Sequence, residues 1–194
     1  MSKQFYKHIT QFTTISQEEF NLILPFFKEQ HLKKKEILIE GGTKCDTIHF
    51  ILEGCVHMYF IGENGVKRTI KFAIENWWIS DFLAFHQQSQ TDFYIQAVET
   101  TKVLSLTTNN HDKLLESFPR LEKYFRIIYQ ISYGASLNKF RYLYDYSKEQ
   151  MYIHFVKEFP DFAQRVPQYL IASFLGLTPE YVSEIRKKNV LKLA

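Results

Sequence analysis

The chain has 194 residues, 45% of them hydrophobic and 23% charged, and its formal net charge is +3. This composition fits a globular protein, and a charge this small permits nucleic-acid binding without arguing for it. The first residues lack the apolar core of a signal peptide, and no apolar run could span a bilayer. The sequence therefore predicts a cytoplasmic protein without a membrane partner.

The two cysteines, Cys45 and Cys55, lie in a strand-rich region with no C-x-x-C motif or Cys/His cluster around them. This spacing supports neither a zinc site nor an iron–sulfur cluster. We expect both to be small buried side chains of a reducing compartment. The sequence predicts no metal and no cofactor.

Residues 1–30 follow a helical pattern, with Ser16 as an N-cap and Pro25 ending a short helix. From Lys35 to Leu106 the pattern changes to short apolar strands. Turn signals such as Gly41-Gly42 and Asn64-Gly65 separate these strands about every ten residues. This spacing predicts an all-β roll or barrel.

From His111 onward the pattern is helical again. Beyond Pro119, apolar or seam-compatible residues recur at alternating spacings of three and four, as in a helix paired with another helix. The stripe consists of Leu121, Tyr124, Ile128, Ile131, Ala135, Asn138 and Tyr142. We interpret it as a dimer interface, and the alternative is that the whole stripe belongs to the chain's own core.

A capping box at Ser147–Gln150 begins a new helix and marks a boundary near Asp145–Ser147. The predicted organisation has three parts. They are a β-roll sensor domain (1–118), a dimerisation helix with a hinge (119–146) and a DNA-binding domain (147–194). The fold class is thus α+β: an N-terminal β-roll with flanking helices, a long dimerisation helix and a C-terminal helix-turn-helix.

The segment from Gln168 to Lys188 has the features of a helix-turn-helix. Ala172 is small enough for two helices to cross closely, and Gly176 suits a turn that needs positive φ. Thr178-Pro179-Glu180 provides an N-cap, a first-position proline and an acidic first turn for the second helix. The predicted shared core consists of Ile171, Leu175, Leu177, Val182 and Ile185.

In a helix-turn-helix the start of the second helix enters the major groove, which defines the candidate DNA-binding residues. Glu180, Tyr181 and Ser183 could contact base edges, while the basic residues could contact phosphates. For these basic residues, a solvated helix end is the alternative. The full set is Arg165, Gln168, Thr178, Pro179, Glu180, Tyr181, Ser183, Glu184, Arg186, Lys187 and Lys188.

This order of elements resembles the cyclic-AMP receptor protein/FNR family of bacterial regulators over residues 15–188. The likeness rests on the Ile48–Gly54 strand, which ends in glycine, and on the helix-turn-helix. It implies a β-roll sensor whose state changes the geometry of the dimer helices. It also implies double-stranded DNA with a pseudo-palindromic site, a second copy of the chain and RNA polymerase as partners.

Two elements that cyclic-nucleotide-binding members use are not matched. They have Gly-Glu-Leu and, nine or ten residues later, Arg-Ser, where this chain has Ser80-Asp81-Phe82 and Thr91-Asp92. Threonine cannot replace the guanidinium clamp, which is worth about 1.5–3 kcal/mol per charged hydrogen bond, and Asp92 would repel a phosphate. We therefore predict that cyclic AMP does not bind with useful affinity.

The effector of such a sensor stays open, because an apolar ligand and a pocket filled by its own aromatic rings are equally compatible with the sequence. The candidate pocket residues are Trp78, Ser80, Asp81, Phe82, Phe85, Thr91, Asp92 and Tyr94. The FNR oxygen-sensing type is disfavoured, since no cysteine precedes Cys45. We also expect no full β-hairpin wing, because only six residues follow Lys188.

Two alternatives come from other classes of protein. A cupin-like metal enzyme needs several His and a carboxylate in the barrel, but the histidines are scattered, with only His49 and His57 on adjacent strands. The second alternative is a ligand- or partner-binding protein with a vestigial helix-turn-helix. The acidic Glu180 and Glu184 and the missing wing keep it open. The preferred prediction is a DNA-binding transcription regulator that is not an enzyme.

Overall fold

A roll of short strands forms the first part of the chain. The computed structural model describes residues 2–192, and the side chains of residues 3–188. The strands are β1 (Lys28–Leu32), β2 (Ile37–Ile39), β3 (Thr47–Glu53), β4 (Val56–Ile61), β5 (Lys67–Ala73), β6 (Trp78–Ile79), β7 (Tyr94–Ala97) and β8 (Thr101–Thr107). They make two four-stranded sheets, ordered β1-β8-β3-β6 and β2-β7-β4-β5. The predicted β-roll is confirmed.

Helices flank the roll and form the rest of the chain. They are α1 (Ser2–Thr10), α2 (Gln17–Ile23), α3 (Phe82–Gln87), α4 (Thr108–Ser117), α5 (Arg120–Asp145), α6 (Lys148–Glu158), α7 (Pro160–Arg165), α8 (Gln168–Phe174) and α9 (Pro179–Lys192). The capping box at Ser147 is present, with its hydroxyl accepting from the Gln150 amide. At Pro25 the chain forms one 3-10 turn, as expected for a proline that ends a helix.

The strands β3 and β8 form the centre of their sheet, and the two faces of this pair differ. His49 pairs with Ser105 and Phe50 with Leu104. Phe50 and Leu104 belong to the hydrophobic core beneath the helices, whereas His49 and Ser105, one residue along each strand, point to the opposite face. The nearly continuous apolar run of β3 thus still places a polar pair inside the roll.

Aromatic side chains fill the core between this sheet and helices α1, α2 and α5. Phe5 contacts Phe50 with ring centroids 4.8 Å apart, and Trp78 packs edge-on against Phe125 at 5.4 Å. The buried Trp78 Nε1–H donates to the Tyr124 hydroxyl over 2.7 Å, and Nδ1 of His8 lies 2.8 Å from the same oxygen. The high aromatic content of the chain therefore serves packing to a large extent.

The position directly after β3 requires glycine, and Gly54 occupies it. Its φ is +99°, and an added Cβ would lie 2.6 Å from the Thr100 carbonyl and 2.5 Å from the Thr101 hydroxyl. A side chain would meet both backbone strain and a steric clash. This explains the glycine at the end of the Ile48–Gly54 strand.

The chain divides into two compact units. Unit 1 contains Met1–Met58 and Phe72–Tyr133, and unit 2 contains Tyr59–Lys71 and Gly134–Ala194. The division falls inside α5, twelve residues before the predicted boundary near Asp145–Ser147. Across residues 2–192, no helix has the length and apolar character that crossing a membrane requires.

Candidate nucleic-acid interface

The turn between α8 and α9 follows from one glycine. Gly176 has a φ of +68°, in the left-handed region that favours glycine. This conformation lets the Leu177 amide return to the Ala172 carbonyl over 2.8 Å, which satisfies a carbonyl at the end of α8. The predicted helix–turn–helix arrangement is present, with the glycine in its expected role.

The second helix begins as its sequence indicates. Pro179 occupies the first helical position, and the Thr178 hydroxyl accepts from the Tyr181 amide over 3.2 Å. Glu180 lies in the first turn, where a negative charge complements the helix dipole. The start of α9 is therefore capped by its own side chains.

The predicted shared core of the two helices is confirmed. Val182 and Ala172 are completely buried, and Ile185 is 1% exposed. Ile171, Leu175 and Leu177 are buried as well. The core extends beyond the prediction, because Met151 of α6 and Val166 also belong to the buried set of unit 2.

Most of the candidate DNA-binding side chains are exposed along α9. Glu180, Ser183, Glu184, Lys187 and Lys188 are exposed, and Tyr181 is half-buried. The Ser183 hydroxyl donates to the Pro179 carbonyl over 2.9 Å, so its oxygen remains available as an acceptor. The described part of this helix thus presents two carboxylates near its start and cations further along.

One hydrogen bond connects the two helices of the motif at their outer edge. Arg186 donates from Nη1 to the Gln168 side-chain oxygen over 3.0 Å, which orients a guanidinium that is otherwise exposed. The Gln168 Nε2 is buried without a hydrogen-bond partner among the described residues. Arg165 is exposed in the last turn of α7. The fold therefore brings together Arg186 and Gln168, which are eighteen residues apart in the sequence.

The β4–β5 hairpin contacts the first helix of the motif within unit 2. The Ser173 hydroxyl accepts from the Thr69 amide over 2.9 Å and donates to the Lys67 carbonyl over 3.2 Å. Sequence reasoning did not identify Ser173, since its partners lie more than a hundred residues away. No local signal in the sequence indicates this contact.

Lys139 of α5 links the same elements. Its Nζ donates to the Ile70 carbonyl over 3.0 Å and lies 3.8 Å from the centre of the Phe174 ring. Burial lowers the pKa of this lysine to about 8. Lys139 therefore connects the second half of α5 to β5 and to the last residue of α8, a role that the sequence did not predict.

In unit 1, a hydrogen bond joins two of the candidate effector residues, Asp81 and Thr91, and Ser80 directly precedes Asp81. Asp81 caps α3 by accepting from the Ala84 amide over 3.1 Å, and its second oxygen accepts from the Thr91 hydroxyl over 2.8 Å. The Ser80 hydroxyl donates to the Thr47 carbonyl over 2.8 Å. The side chains of Ser80, Asp81 and Thr91 are therefore all engaged in hydrogen bonds within the protein.

The other effector candidates differ in how far they are buried. Trp78 and Phe85 belong to the hydrophobic core of unit 1. Phe82 and Tyr94 are half-buried, and Asp92 is exposed. None of the candidates supplies a cation.

The predicted dimer stripe is divided between two environments. Leu121, Tyr124 and Ile128 are buried in the core of unit 1. Ile131, Ala135 and Asn138 are exposed, and Tyr142 stacks on Tyr146 at 5.6 Å. A different set of large side chains is exposed on α5, at spacings of four, three and four: Tyr133 (67%), Leu137 (50%), Phe140 (58%) and Tyr144 (88%).

Metal-ligating groups are not assembled in the described residues, where no three His, Cys, Asp or Glu side chains could hold an ion together. His49 contacts Ser105 and His57 contacts Gln96. Cys45 and Cys55 are both buried, as predicted.

Comparisons with known proteins agree with this architecture. Residues 29–118 match the family model of the cyclic nucleotide-binding domain. FixK2 from Bradyrhizobium japonicum is 14% identical with a TM-score of 0.73, and the match covers 86% of this chain and 85% of FixK2. No curated protein sequence matches the chain.

Two further solved structures have the same fold. A CooA mutant from Carboxydothermus hydrogenoformans is 21% identical with a TM-score of 0.67, covering 91% of this chain and 85% of CooA. A protein from Eubacterium rectale, assigned to the Crp/Fnr family of transcriptional regulators, is 14% identical with a TM-score of 0.70, covering 92% and 85%. The chain therefore has the fold of Crp/Fnr regulators, including their cyclic nucleotide-binding domain.

Proposed function

We propose that this chain, with the fold of Crp/Fnr regulators and a cyclic nucleotide-binding domain, is a dimeric, sequence-specific DNA-binding transcription regulator rather than an enzyme. The observation that carries the proposal is the helix-turn-helix, whose second helix has a completed core on one face and an exposed polar face on the other. An exposed polar face of this kind can enter the major groove of DNA. Acting on DNA, the regulator would work in the cytoplasm.

On this proposal, the side chains at the start of α9 read the bases. Glu180 can accept from the cytosine amino group, and Tyr181 and Ser183 can exchange hydrogen bonds with base edges. Lys187 and Lys188 would neutralise phosphates, as would Arg165. Two carboxylates on the reading surface weaken non-specific attraction, so affinity should depend on specific contacts from both copies of a dimer.

For the dimer, we propose the exposed stripe of Tyr133, Leu137, Phe140 and Tyr144 as the contact surface. Its spacing of four, three and four matches the seam of paired helices. Four large apolar or aromatic side chains in one row would gain from burial against a second copy. Leu121, Tyr124 and Ile128 cannot serve in this seam, since they already pack inside unit 1.

The seam is tested by Leu137→Glu, with Leu22→Glu as the control, because Leu22 is also exposed (64%, against 50% for Leu137) but lies on α2. Sedimentation should show a dimer for the native chain and the control, and a monomer for Leu137→Glu. A dimer that survives Leu137→Glu and Phe140→Glu together would place the interface elsewhere.

We further propose that the sensor domain does not bind cyclic AMP with useful affinity. The family resemblance assigns Asp81 to the glutamate that holds the ribose and Thr91 to the arginine that binds the phosphate, and these two side chains are hydrogen-bonded to each other. A phosphate would have to break that bond and would meet a carboxylate instead of a guanidinium. Thermal protection of the protein by millimolar cyclic AMP at modest salt would contradict this proposal.

Selection of bound sequences from a random DNA pool tests the central proposal. We expect a pseudo-palindrome whose half-sites are about one helical turn apart, or a multiple of it. Lys188→Ala should weaken binding to all sequences and lower the salt dependence by about one phosphate contact, whereas the exposed Lys33→Ala in unit 1 should not. Failure to enrich any sequence at low salt would refute the proposal.

A second candidate function follows from the acidic residues of α9. Glu180 and Glu184 are both exposed on the surface that would face DNA. If that surface instead binds another partner, the helix-turn-helix is vestigial. Replacing both residues with glutamine distinguishes the two: DNA reading through Glu180 predicts a changed base preference, and a vestigial motif predicts no specific DNA binding before or after the change.

A further inference from the structure

A cavity of about 650 Å³ lies in unit 1, and its lining does not include the candidate effector residues, although Ser80 donates to the Thr47 carbonyl in its wall. It is bounded by β1, β2, β3 and β8 and by the start of α4, and its volume is in the range of small-molecule sites. The lining includes none of the side chains that the family resemblance suggests for the effector. The cavity therefore has to be judged by its own chemistry.

A chain of three polar side chains forms part of the cavity wall. The Ser105 hydroxyl donates to the Gln30 side-chain oxygen over 2.6 Å. Because its one proton is used there, the same hydroxyl accepts from Nδ1–H of His49, 2.8 Å away. This arrangement fixes the tautomer of His49 and leaves a lone pair on its Nε2.

His49 Nε2 is an enclosed acceptor without a hydrogen-bond partner among the described residues. The residue is 3% exposed, and burial lowers the pKa of the ring to about 3, so it is neutral at physiological pH. A buried acceptor without a donor is rare in folded proteins and calls for a physical reason. A donor that enters the neighbouring cavity would supply one.

The charged side chains that line the cavity cancel each other. Lys28 and Lys44 supply two positive charges, and Glu40 and Asp46 supply two negative ones. All four residues are exposed. The site therefore lacks the net positive charge that would favour a phosphate or another anion.

We propose that this cavity binds a small molecule without net charge, and that a hydroxyl or N–H group of the ligand donates to Nε2 of His49. Because Nε2 is enclosed, binding includes a small rotation of the His49 ring that opens this atom to the cavity. Ser105 and Gln30 position the ring and keep Nε2 in its acceptor form. The proposal does not rest on DNA binding, since the cavity lies wholly within unit 1.

The test compares probes that differ only in a donor: phenol with anisole, indole with N-methylindole, and pyrazole with N-methylpyrazole. Each is titrated into the full ¹⁵N-labelled chain without DNA, and the imidazole nitrogen signals of the histidines are recorded. We expect at least one donor probe to shift His49 Nε2 saturably, and its methylated partner to leave that signal in place. The signals of His8 and His57 should not move, because neither residue lines the cavity.

A variant supports the assignment without relying on the spectrum alone. His49→Leu should lower the affinity for the donor probe at least tenfold, while His31→Gln, at an exposed position, should leave that affinity unchanged. If His49→Leu does not fold, Ser105→Ala replaces it, because losing the Nδ1 partner frees the ring to change tautomer. The proposal is overturned if no donor probe shifts His49 Nε2, or if the methylated probes shift it equally.

Discussion

The helix-turn-helix is stabilised mainly by contacts between residues close in the sequence, and the β-roll by contacts between residues far apart in it. In the helix-turn-helix, the turn glycine, the N-cap and the shared core lie within about twenty residues of each other in the sequence. In the roll, His49 meets a serine 56 residues away, and Trp78 meets a tyrosine 46 residues away. Local patterns therefore describe the first region well, while only the folded chain reveals which polar groups meet in the second.

The largest expected effect tests the packing of the helix-turn-helix core. Ile185→Ala removes a side chain that is 1% exposed from the core of the helix-turn-helix, and we expect a loss of about 2–5 kcal/mol in the stability of unit 2. Ile153→Ala is the matched control, because Ile153 is 40% exposed on α6. Amide hydrogen exchange of residues 168–185 measures both. Equal effects of the two variants would mean that this core is not the determinant of the motif.

The second effect tests a non-local contact through pH. Burial, partly offset by Asp46, lowers the pKa of His49 to about 3 in the folded state, against about 6.5 when unfolded. The unfolded chain binds this proton first, so stability is complete above pH 6.5 and falls as the pH drops toward 3. The loss should reach about 2 kcal/mol at pH 5.

His49→Gln removes this titration, and urea unfolding at pH 7.5 and pH 5 measures the change. The pH dependence of the variant should be flatter by about that amount, while His31→Gln should retain the native slope. His8, whose pKa burial lowers to about 4, is present in both variants and cancels in the comparison. An unchanged slope in His49→Gln would show that this ring does not remain neutral inside the roll.

A smaller effect compares one substitution at a buried and at an exposed tyrosine. Tyr124→Phe leaves the buried Trp78 Nε1–H without its acceptor, which should cost about 1–3 kcal/mol. Tyr169→Phe on α8 should change the stability by less than about 0.5 kcal/mol, because Tyr169 is 54% exposed. Thermal unfolding followed by tryptophan fluorescence measures both. A similar loss of stability in both variants would contradict the hydrogen bond between Trp78 and the buried Tyr124 hydroxyl.

The smallest effect concerns the contact between the hairpin and α8. Ser173→Ala removes the side-chain acceptor of the Thr69 amide and should cost about 1 kcal/mol. Hydrogen exchange at the Thr69 amide reports on the change directly, and Ser183→Ala, which loses only an exposed bond within α9, is the control. Unchanged protection of Thr69 in Ser173→Ala would mean that the bond is not maintained in solution.

The sequence predicted most of the architecture, and its failures have physical causes. The strand Lys28–Leu32 was not predicted, since its Lys-Glu-Gln-His residues lack apolar alternation and only its pairing with β8 makes it a strand. The sequence could not show which residues of the α5 stripe are core and which are exposed, because only the first half of the helix packs inside unit 1. The spacing of Leu121 and Tyr124 in the sequence is that of a dimer seam, but in the structure both side chains lie in the hydrophobic core of unit 1.

The candidate sites show the same limit. The exposed face of α9 could be predicted, because helix periodicity fixes which residues share a side. The mutual hydrogen bond of Asp81 and Thr91 could not, although the sequence correctly indicated that neither offers a positive charge. Ser173 and Lys139 carried no sequence signal at all, since each is defined by partners on a distant hairpin.

The hydroxyl of Ser173 also matters for the edge of a sheet. β5 is the outermost strand of its sheet, and an outermost strand exposes backbone groups that can pair with a strand of another molecule. By bonding to the Thr69 amide and the Lys67 carbonyl, Ser173 occupies two of those groups with a side chain from a helix. The first helix of the helix-turn-helix thereby leaves fewer backbone groups of this edge strand open to pairing with a strand of another molecule.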